Sequence, residues 1–193
     1  TIIGIIVLMV GLGTGLVLVQ FRNILFNLKA SPDQEPKEVK VTNISDKSFT
    51  VSWITDRETV GFVTFGESQN SLNKNAPDTD DSAKSTHSIT VVSLRPSTDY
   101  YFKINSAGIL KDNNGIPWKA KTGPTLTTSS NSQIVAGSIT TATGQPVPNA
   151  LIYLNISGAS TVSTKSSQNG SWVIPLSRLR TSDLLGYPAL TNK

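Results

Sequence analysis

The fold is decided by the stretch LRPSTDYYFKI at residues 94–104. In its second half, Tyr100 and Phe102 share one face of an extended chain. A period of two in the large apolar side chains is typical of a β-strand with one buried face. The stretch FTVSW at residues 49–53 alternates in the same way and ends on Trp53. These two runs predict strands that place Trp53, Tyr100 and Phe102 in one core.

Similar short runs recur on both sides of these strands, at residues 39–44, 62–65, 89–92 and 118–121. Turn-forming residues separate them, such as Asp46-Lys47 and the stretch DNNG at residues 112–115. Residues 69–84 are rich in Asn, Asp and Ser, and we expect them to form a long mobile loop. Short strands separated by regular turn signals predict an antiparallel β-sandwich.

The pattern LxPxTxYxFxI at residues 94–104 resembles the late-strand signature of fibronectin type III domains, and FTVSW resembles their second strand. The resemblance implies that Trp53 packs the core and that the Tyr100 hydroxyl ties the preceding corner back to the backbone. Residues 55–66 are also similar to the variant found ahead of purple acid phosphatases. We therefore expect a fibronectin type III-like module over residues 37–124. Such modules are spacers and binding platforms far more often than enzymes.

A second β unit is expected over residues 134–193, after a Ser/Thr-rich linker at 125–133. The segments VAGSIT, GQPVPNA and LIYL in its first part, and QNGSWVI later, are similar to a carboxypeptidase-regulatory-like (prealbumin-type) domain. This resemblance implies a core position for Trp172. Asn169-Gly170 predicts a hairpin turn, because both residue types tolerate positive φ. The final strands of that fold are not evident after Leu179, so we expect this module to be incomplete.

The N-terminal residues 1–21 carry no charge and are mostly apolar. About 20 such residues are what a helix needs to cross a hydrocarbon core of roughly 30 Å. We expect a hydrophobic helix over residues 1–28, followed by a polar, proline-containing linker at 29–36. Small residues at helical spacing let neighbouring helices approach closely in lipid. The candidate helix-packing residues are Gly4, Gly11 and Gly15.

Three interpretations of this apolar segment stay open. A permanent single-pass anchor is favoured, because a cleaved secretory signal has a shorter apolar region and a nearby small-residue cleavage site. The third interpretation is a pilin-like helix packed inside a filament, although Ile5 stands where bacterial pilins usually have glutamate. The expected partners are membrane lipid or neighbouring copies of the same helix, with other cell-surface proteins or glycans as further candidates.

The amino-acid composition excludes several kinds of catalytic and metal-binding site. The chain of 193 residues has no cysteine and one histidine, His87, which excludes thiol catalysis, disulfides and multi-histidine metal sites. We expect His87 to face solvent on a strand. The carboxylates of Asp78, Asp80 and Asp81 are expected to be solvated, with weak calcium binding as the alternative. No Asp or Glu occurs between residues 134 and 180, which excludes an acid-assisted isopeptide crosslink there. We therefore expect no catalytic, cofactor-binding or metal-binding residues.

The charge pattern argues against nucleic acid as a partner. The chain has 17 Lys and Arg against 13 Asp and Glu, a net charge of +4. Its basic residues are scattered singly and are not interleaved with aromatic residues that stack on bases. A mildly basic surface is the simpler account of this charge.

The sequence thus predicts a mainly β protein with an N-terminal transmembrane-type α-helix and two Ig-like β-sandwich modules. The leading hypothesis is a non-enzymatic structural or adhesion protein, anchored in the cell membrane with its β modules outside. In this organisation it resembles membrane-anchored bacterial surface proteins. The alternatives are a pilin-like subunit of an extracellular filament and the stalk of an enzyme whose catalytic domain lies beyond Lys193.

Overall fold

A computed structural model of the chain describes residues 32–78, 82–127 and 132–190. The predicted helix over residues 1–28 lies outside the described residues, as do its candidate packing residues Gly4, Gly11 and Gly15. Within the described ranges, no helix is both long and apolar enough to cross a membrane. These ranges are mainly β, with short 3₁₀ turns at Pro32–Gln34 and Leu176–Arg178.

The first module is a β-sandwich of two antiparallel sheets. Its strands are β1 (Lys37–Thr42), β2 (Phe49–Thr59), β3 (Gly61–Gly66), β4 (Lys74–Pro77), β5 (Lys84–Val91), β6 (Asp99–Ser106), β7 (Ile109–Lys111) and β8 (Trp118–Lys121). One sheet has the order β1-β2-β5, and the other has the order β4-β3-β6-β7. β8 also pairs with β6, along residues 99–102, while β7 pairs along residues 104–106.

Side-chain alternation explains how the two sheets form one core. On β2, Phe49, Val51 and Trp53 point inward, and the register places Ile89 of β5 opposite Val51. Strand β6 supplies the facing residues of the other sheet. Trp53, Tyr100 and Phe102 are 0%, 1% and 0% exposed. Burial of aromatic side chains of this size dominates the energetics of a small core.

The corner before β6 is held by the hydroxyl of Tyr100. The backbone N–H of Arg95 donates to Tyr100 Oη at 2.8 Å, which is the tie implied by the fibronectin resemblance. The hydroxyl of Thr122 reinforces it by donating to the Arg95 carbonyl at 2.6 Å and accepting from the Thr98 N–H at 2.9 Å. The end of β8 is thereby fastened to the start of β6.

The expectation that residues 69–84 form a long mobile loop is wrong in part. It contains β4, which pairs with β3 and buries Ala76 opposite Val63, and β5 begins at Lys84. β4 gives little signal in sequence because an edge strand of four residues needs only one inward apolar side chain. The short strand β7 was also not expected. It follows a tight turn in which Ala107 and Gly108 both have positive φ.

The second module consists of two antiparallel strand pairs around its own apolar cluster. Its strands are β9 (Ile134–Ser138), β10 (Leu151–Leu154), β11 (Val162–Lys165) and β12 (Ser171–Pro175). β9 pairs with β12, and β10 pairs with β11. The buried members of the cluster are Val162, Ile174, Leu176 and Leu179. Trp172 is partly buried against them and lies over Gly137, where a Cβ would come within 2.7 Å of the indole.

The predicted turn at Asn169-Gly170 is present, but it does not form a simple hairpin. Gly170 has a φ of 77°, whereas Asn169 does not have a positive φ. The strands on either side of the turn, β11 and β12, belong to different sheets. The turn is closed locally by the Gly170 N–H donating to the Ser167 carbonyl at 2.9 Å. A turn signal in sequence predicts the reversal of the chain, but not which strands pair beyond it.

Candidate functional site: the junction between the modules

One face of the first module is polar and nevertheless buried. Thr42 and Ser52 are 1% and 0% exposed, although they point away from the core of their sheet. The outer face of an antiparallel sheet commonly meets water, which explains its polar residues. Here the pair β10–β11 of the second module covers it, so the two modules share an interface.

Asn43 directly follows β1, and its side-chain amide pairs with the backbone of β11 as a peptide group of a neighbouring strand would. Its Nδ2 donates to the Ser163 carbonyl at 3.0 Å, and its Oδ1 accepts from the Ser163 N–H at 2.9 Å. Its own backbone N–H donates to the Thr161 carbonyl at 3.1 Å. One residue with a φ of 51° therefore continues the hydrogen bonding of β11 into the first module. Next to it, the hydroxyls of Thr42 and Ser163 lie 2.6 Å apart.

Tyr153 of β10 extends the same contact along the sheet. Its hydroxyl lies 2.9 Å from Ser52 Oγ, and the ammonium of Lys40 lies 4.2 Å from the centre of its ring. A cation over an aromatic face contributes about 0.5–1 kcal/mol at an exposed site. Farther along, Thr86 Oγ1 donates to the Asn149 carbonyl at 3.0 Å. The contacts thus involve all three strands of the β1-β2-β5 sheet.

Arg180 joins the far end of the second module to the start of the linker. Its side chain is 6% exposed. Nη1 donates to the Pro124 carbonyl at 2.7 Å and to the Leu184 carbonyl at 3.3 Å, while Nη2 lies 3.6 Å from Asp46 Oδ1. A buried guanidinium is stable only when it is paired and hydrogen-bonded, and these contacts meet that need.

Gly123 makes room for this guanidinium. A Cβ at this position would overlap Arg180 Nη1 and would lie 3.2 Å from Leu184 Cβ. The backbone of Gly123 is also held on both sides, because its N–H donates to the Ser45 carbonyl and its carbonyl accepts from the Ser97 N–H, each at 2.9 Å. The linker therefore starts from a fixed position against the first module.

His87 lies away from the junction, and the expectation that it faces solvent is wrong. It is 0% exposed and its ring stacks on Trp53, with centroids 4.5 Å apart and planes 6° from parallel. The register of β2 and β5 places His87 directly opposite Trp53, so both side chains point into the core. The alternation with Ile89 and Val91 already favoured this orientation in the sequence.

The surroundings of His87 have the order of a hydroxyl–imidazole–carboxylate triad. Nε2 lies 3.2 Å from Thr59 Oγ1, and Nδ1 lies 3.9 Å from Asp78 Oδ2, which is longer than a hydrogen bond. Burial lowers the pKa of His87 to about 4, and Lys84 and Lys165 act in the same direction, while Asp78 opposes them. Both Thr59 and His87 are buried, so no substrate reaches them. We interpret this group as a neutral core histidine.

The burial of His87 makes stability depend on pH. Its pKa is about 4 in the folded chain against 6.5 in the unfolded chain, so the unfolded chain binds more protons between these values. We expect the free energy of unfolding to fall by about 3 kcal/mol as the pH is lowered through this window. Urea unfolding at several pH values should show that His87→Phe, which cannot titrate, removes this part of the dependence. Parallel pH profiles for the two proteins would contradict the prediction.

Of the three neighbouring acidic residues Asp78, Asp80 and Asp81, the structure describes only Asp78. The carboxylate of Asp78 is nearly buried and lies 3.2 Å from Lys84 Nζ, so it is not the solvated group expected. Asp80 and Asp81 lie outside the described residues. Within the part of the chain that the structure covers, no group of three or more His, Asp or Glu residues is placed to hold a metal ion.

Residues 36–122 match the family model of the purple acid phosphatase N-terminal domain. The first module is similar to that domain. It is the non-catalytic part of those enzymes, and the match supports a β domain with a sandwich fold. It also agrees with the resemblance carried by residues 55–66.

Other comparisons are more distant. No curated protein matches the chain. The solved structures that show a likeness include the short and long forms of the sensor domain of the anti-sigma factor RsgI4 from Pseudobacteroides cellulosolvens. Each has 16% sequence identity and covers 50% of this chain, with TM-scores of 0.34 and 0.33, and the match spans 100% and 97% of those chains. Neither likeness is close enough to assign a function.

Proposed function

We propose that this chain is a non-enzymatic structural protein of the cell surface. Its N-terminal segment would anchor it in the membrane, and its two β modules would stand outside the cell as one rigid unit. The observation that carries this proposal is the junction. Asn43, Tyr153 and Arg180 each bond across it, and a flexible tether between independent modules needs none of these contacts.

The geometry of the junction supports a spacer with a defined direction. Asn43 and Tyr153 bond across the outer sheet face of the first module, whereas Arg180 holds Pro124, directly before the linker. Contacts at separate points resist both bending and twisting between the modules. A rigid unit of this kind presents a surface or a further domain at a set distance from its point of attachment.

The remaining features agree with a non-catalytic role outside the membrane. The apolar residues 1–21 supply a stretch of the length required to cross a bilayer. Folding without cysteine requires no oxidative help, which suits a bacterial or archaeal envelope. The histidine at position 87 is buried and neutral, so it is unsuited to act as an accessible general base.

Fractionation of cells that produce the full chain tests the proposal. We expect the chain to sediment with membranes, to resist an alkaline carbonate wash and to be extracted by mild detergent as dispersed monomers. Protease added to intact cells should digest the β modules. The matched control replaces Leu8 and Val10 with arginine, because each central arginine costs about 2.5–3.5 kcal/mol of membrane insertion.

Two results would reject this function. Filaments seen by electron microscopy, with residues 1–28 of many subunits packed along their axis, would establish the pilin-like alternative. Recovery of the wild-type chain in the soluble fraction, unaffected by the arginine substitutions, would exclude both the anchor and the filament.

A further inference from the structure

A polar cleft lies at the junction, next to Arg180. The turn after β1 and the outer faces of β2 and β5 form one wall, and the 3₁₀ turn Leu176–Arg178 with Tyr187 forms the other. Its volume is about 520 Å³. Sites for small organic ligands generally fall between about 300 and 1,000 Å³. The cleft is therefore large enough for an organic molecule and larger than a simple ion requires.

The wall contributed by the first module consists mainly of hydroxyl groups. Ser48, Thr50 and Thr90 line it. Thr50 is buried and its hydroxyl accepts from Asn43 Nδ2 at 3.1 Å, and Ser48 Oγ lies 2.8 Å from Ser45 Oγ. Thr90 is exposed, and its hydroxyl lies 3.2 Å from that of Thr50. A hydroxyl has one donor and two acceptor positions, so the exposed Thr90 hydroxyl keeps capacity to bond to a ligand hydroxyl beside its contact with Thr50. An apolar ligand would displace water from the exposed Thr90 hydroxyl without replacing its hydrogen bonds, at a cost in binding free energy.

The wall contributed by the second module carries side chains with unused bonding capacity. Among the residues that the structure describes, Ser177, Arg178 and Tyr187 make no side-chain hydrogen bond or ion pair with one another or with the rest of the protein. Arg178 is exposed, whereas Arg180 behind it is buried and fully engaged. The guanidinium of Arg178 is thus the cation at this wall that remains available to a ligand.

The charges around the cleft favour an anionic group. Asp46 and Arg180 balance each other at 3.6 Å, which leaves Arg178 without a counter-charge. The second module has no carboxylate between residues 134 and 180, and Asp183 beyond them accepts from the Thr181 hydroxyl and the Leu185 N–H instead of pairing with Arg178. An arginine fork binds a carboxylate through two parallel hydrogen bonds, which adds geometric selectivity to the attraction.

We infer that this cleft binds a carboxylate-bearing saccharide of one or two units. The carboxylate lies on Arg178, the ring hydroxyls bond to Thr90 and Ser177, and the ring of Tyr187 covers one face of the sugar. The hydroxyl wall and the volume distinguish this ligand from a small inorganic anion, and Arg178 distinguishes it from a neutral sugar. The inference goes beyond the proposed surface role, since it concerns recognition and requires no membrane.

Titration of the purified full chain tests the inference. The chain is kept in a polyoxyethylene detergent that contains no sugar, and backbone amide NMR shifts and calorimetry are recorded with a hexuronate disaccharide. The comparison ligands are the neutral disaccharide of the same linkage and inorganic phosphate. We expect the acidic disaccharide to shift amide signals around Thr50, Thr90 and Ser177, and to bind at least tenfold more tightly than either comparison ligand.

Variants locate the site. Arg178→Gln should weaken binding of the hexuronate about tenfold or more, Arg178→Lys should weaken it less, and Tyr187→Ala should weaken it several-fold. The control is Arg57→Gln, since Arg57 is exposed at the opposite end of β2 from Thr50 and should not affect binding.

Three results would overturn the inference. They are equal binding of the neutral disaccharide, equal binding of phosphate alone, and hexuronate shifts that lie outside the cleft or persist unchanged in Arg178→Gln. None of them depends on where the protein resides in the cell, so this test and the fractionation test fail independently.

Discussion

Replacing Trp53 with alanine is expected to lower the free energy of unfolding of the first module by about 3–5 kcal/mol, the range for large-to-small changes at buried aromatic positions. The indole is fully buried and stacks on His87. It also lies against Gly61, where a Cβ would come within 2.8 Å of its ring. These neighbours belong to paired strands and cannot collapse into the space, so a cavity remains.

Urea unfolding followed by near-ultraviolet circular dichroism measures this loss, and Trp53→Phe provides the matched control. Among the described residues, Trp53 Nε1 is buried without a hydrogen-bond partner. Phenylalanine keeps an aromatic ring and removes this unsatisfied donor, so its cost should be clearly smaller. A loss below about 1 kcal/mol for Trp53→Ala would contradict the assignment of this residue to the core.

Replacing Gly123 with alanine should be the most damaging single-methyl change at the junction. The new Cβ would displace the guanidinium of Arg180, which then loses its bonds to Pro124 and Leu184 and its pairing with Asp46. We expect a loss of about 2–4 kcal/mol, because a buried charge is left without its partners. The modules should also lose their fixed relative orientation, which small-angle X-ray scattering can detect.

The control and the double variant separate this mechanism from a general effect of alanine. Gly186 lies in open space, so Gly186→Ala should change stability little. Arg180→Ala alone should cost about as much as Gly123→Ala, and the two together should cost hardly more than Arg180→Ala, because both remove the same contact. Equal stability of Gly123→Ala and Gly186→Ala, or full additivity of the pair, would contradict the mechanism.

Side-chain alternation explains which parts of the fold were predictable. On β2 and β6, large apolar residues recur at every second position, and this pattern by itself determines which side faces the core. The Tyr100 corner was predictable because its residues follow one another in a short motif. The strands β4 and β7 were missed because they are short and contribute few inward apolar side chains.

For His87, the sequence indicated the orientation of the side chain but not its surroundings. Its position two residues before Ile89 places it on the inward face, but a histidine on a strand is often solvent-exposed. Only the tertiary structure supplies the Trp53 ring that stacks on it and the strands that close over it. Its low pKa follows from that burial and could not be predicted from residue type alone.

The sequence by itself determined the existence of a β-sandwich, the residues of its core and the motif of its corner, because these depend on neighbours along one or two strands. The tertiary structure alone decided the junction. Asn43 and Ser163, or Gly123 and Arg180, are far apart in the chain. Asn, Ser and Arg usually face water, and a glycine does not indicate in sequence what packs against it. A polar outer face has the same pattern in sequence whether it meets solvent or another polar surface. The difference arises only when the second module is placed against it and the hydrogen bonds to water are exchanged for bonds between modules.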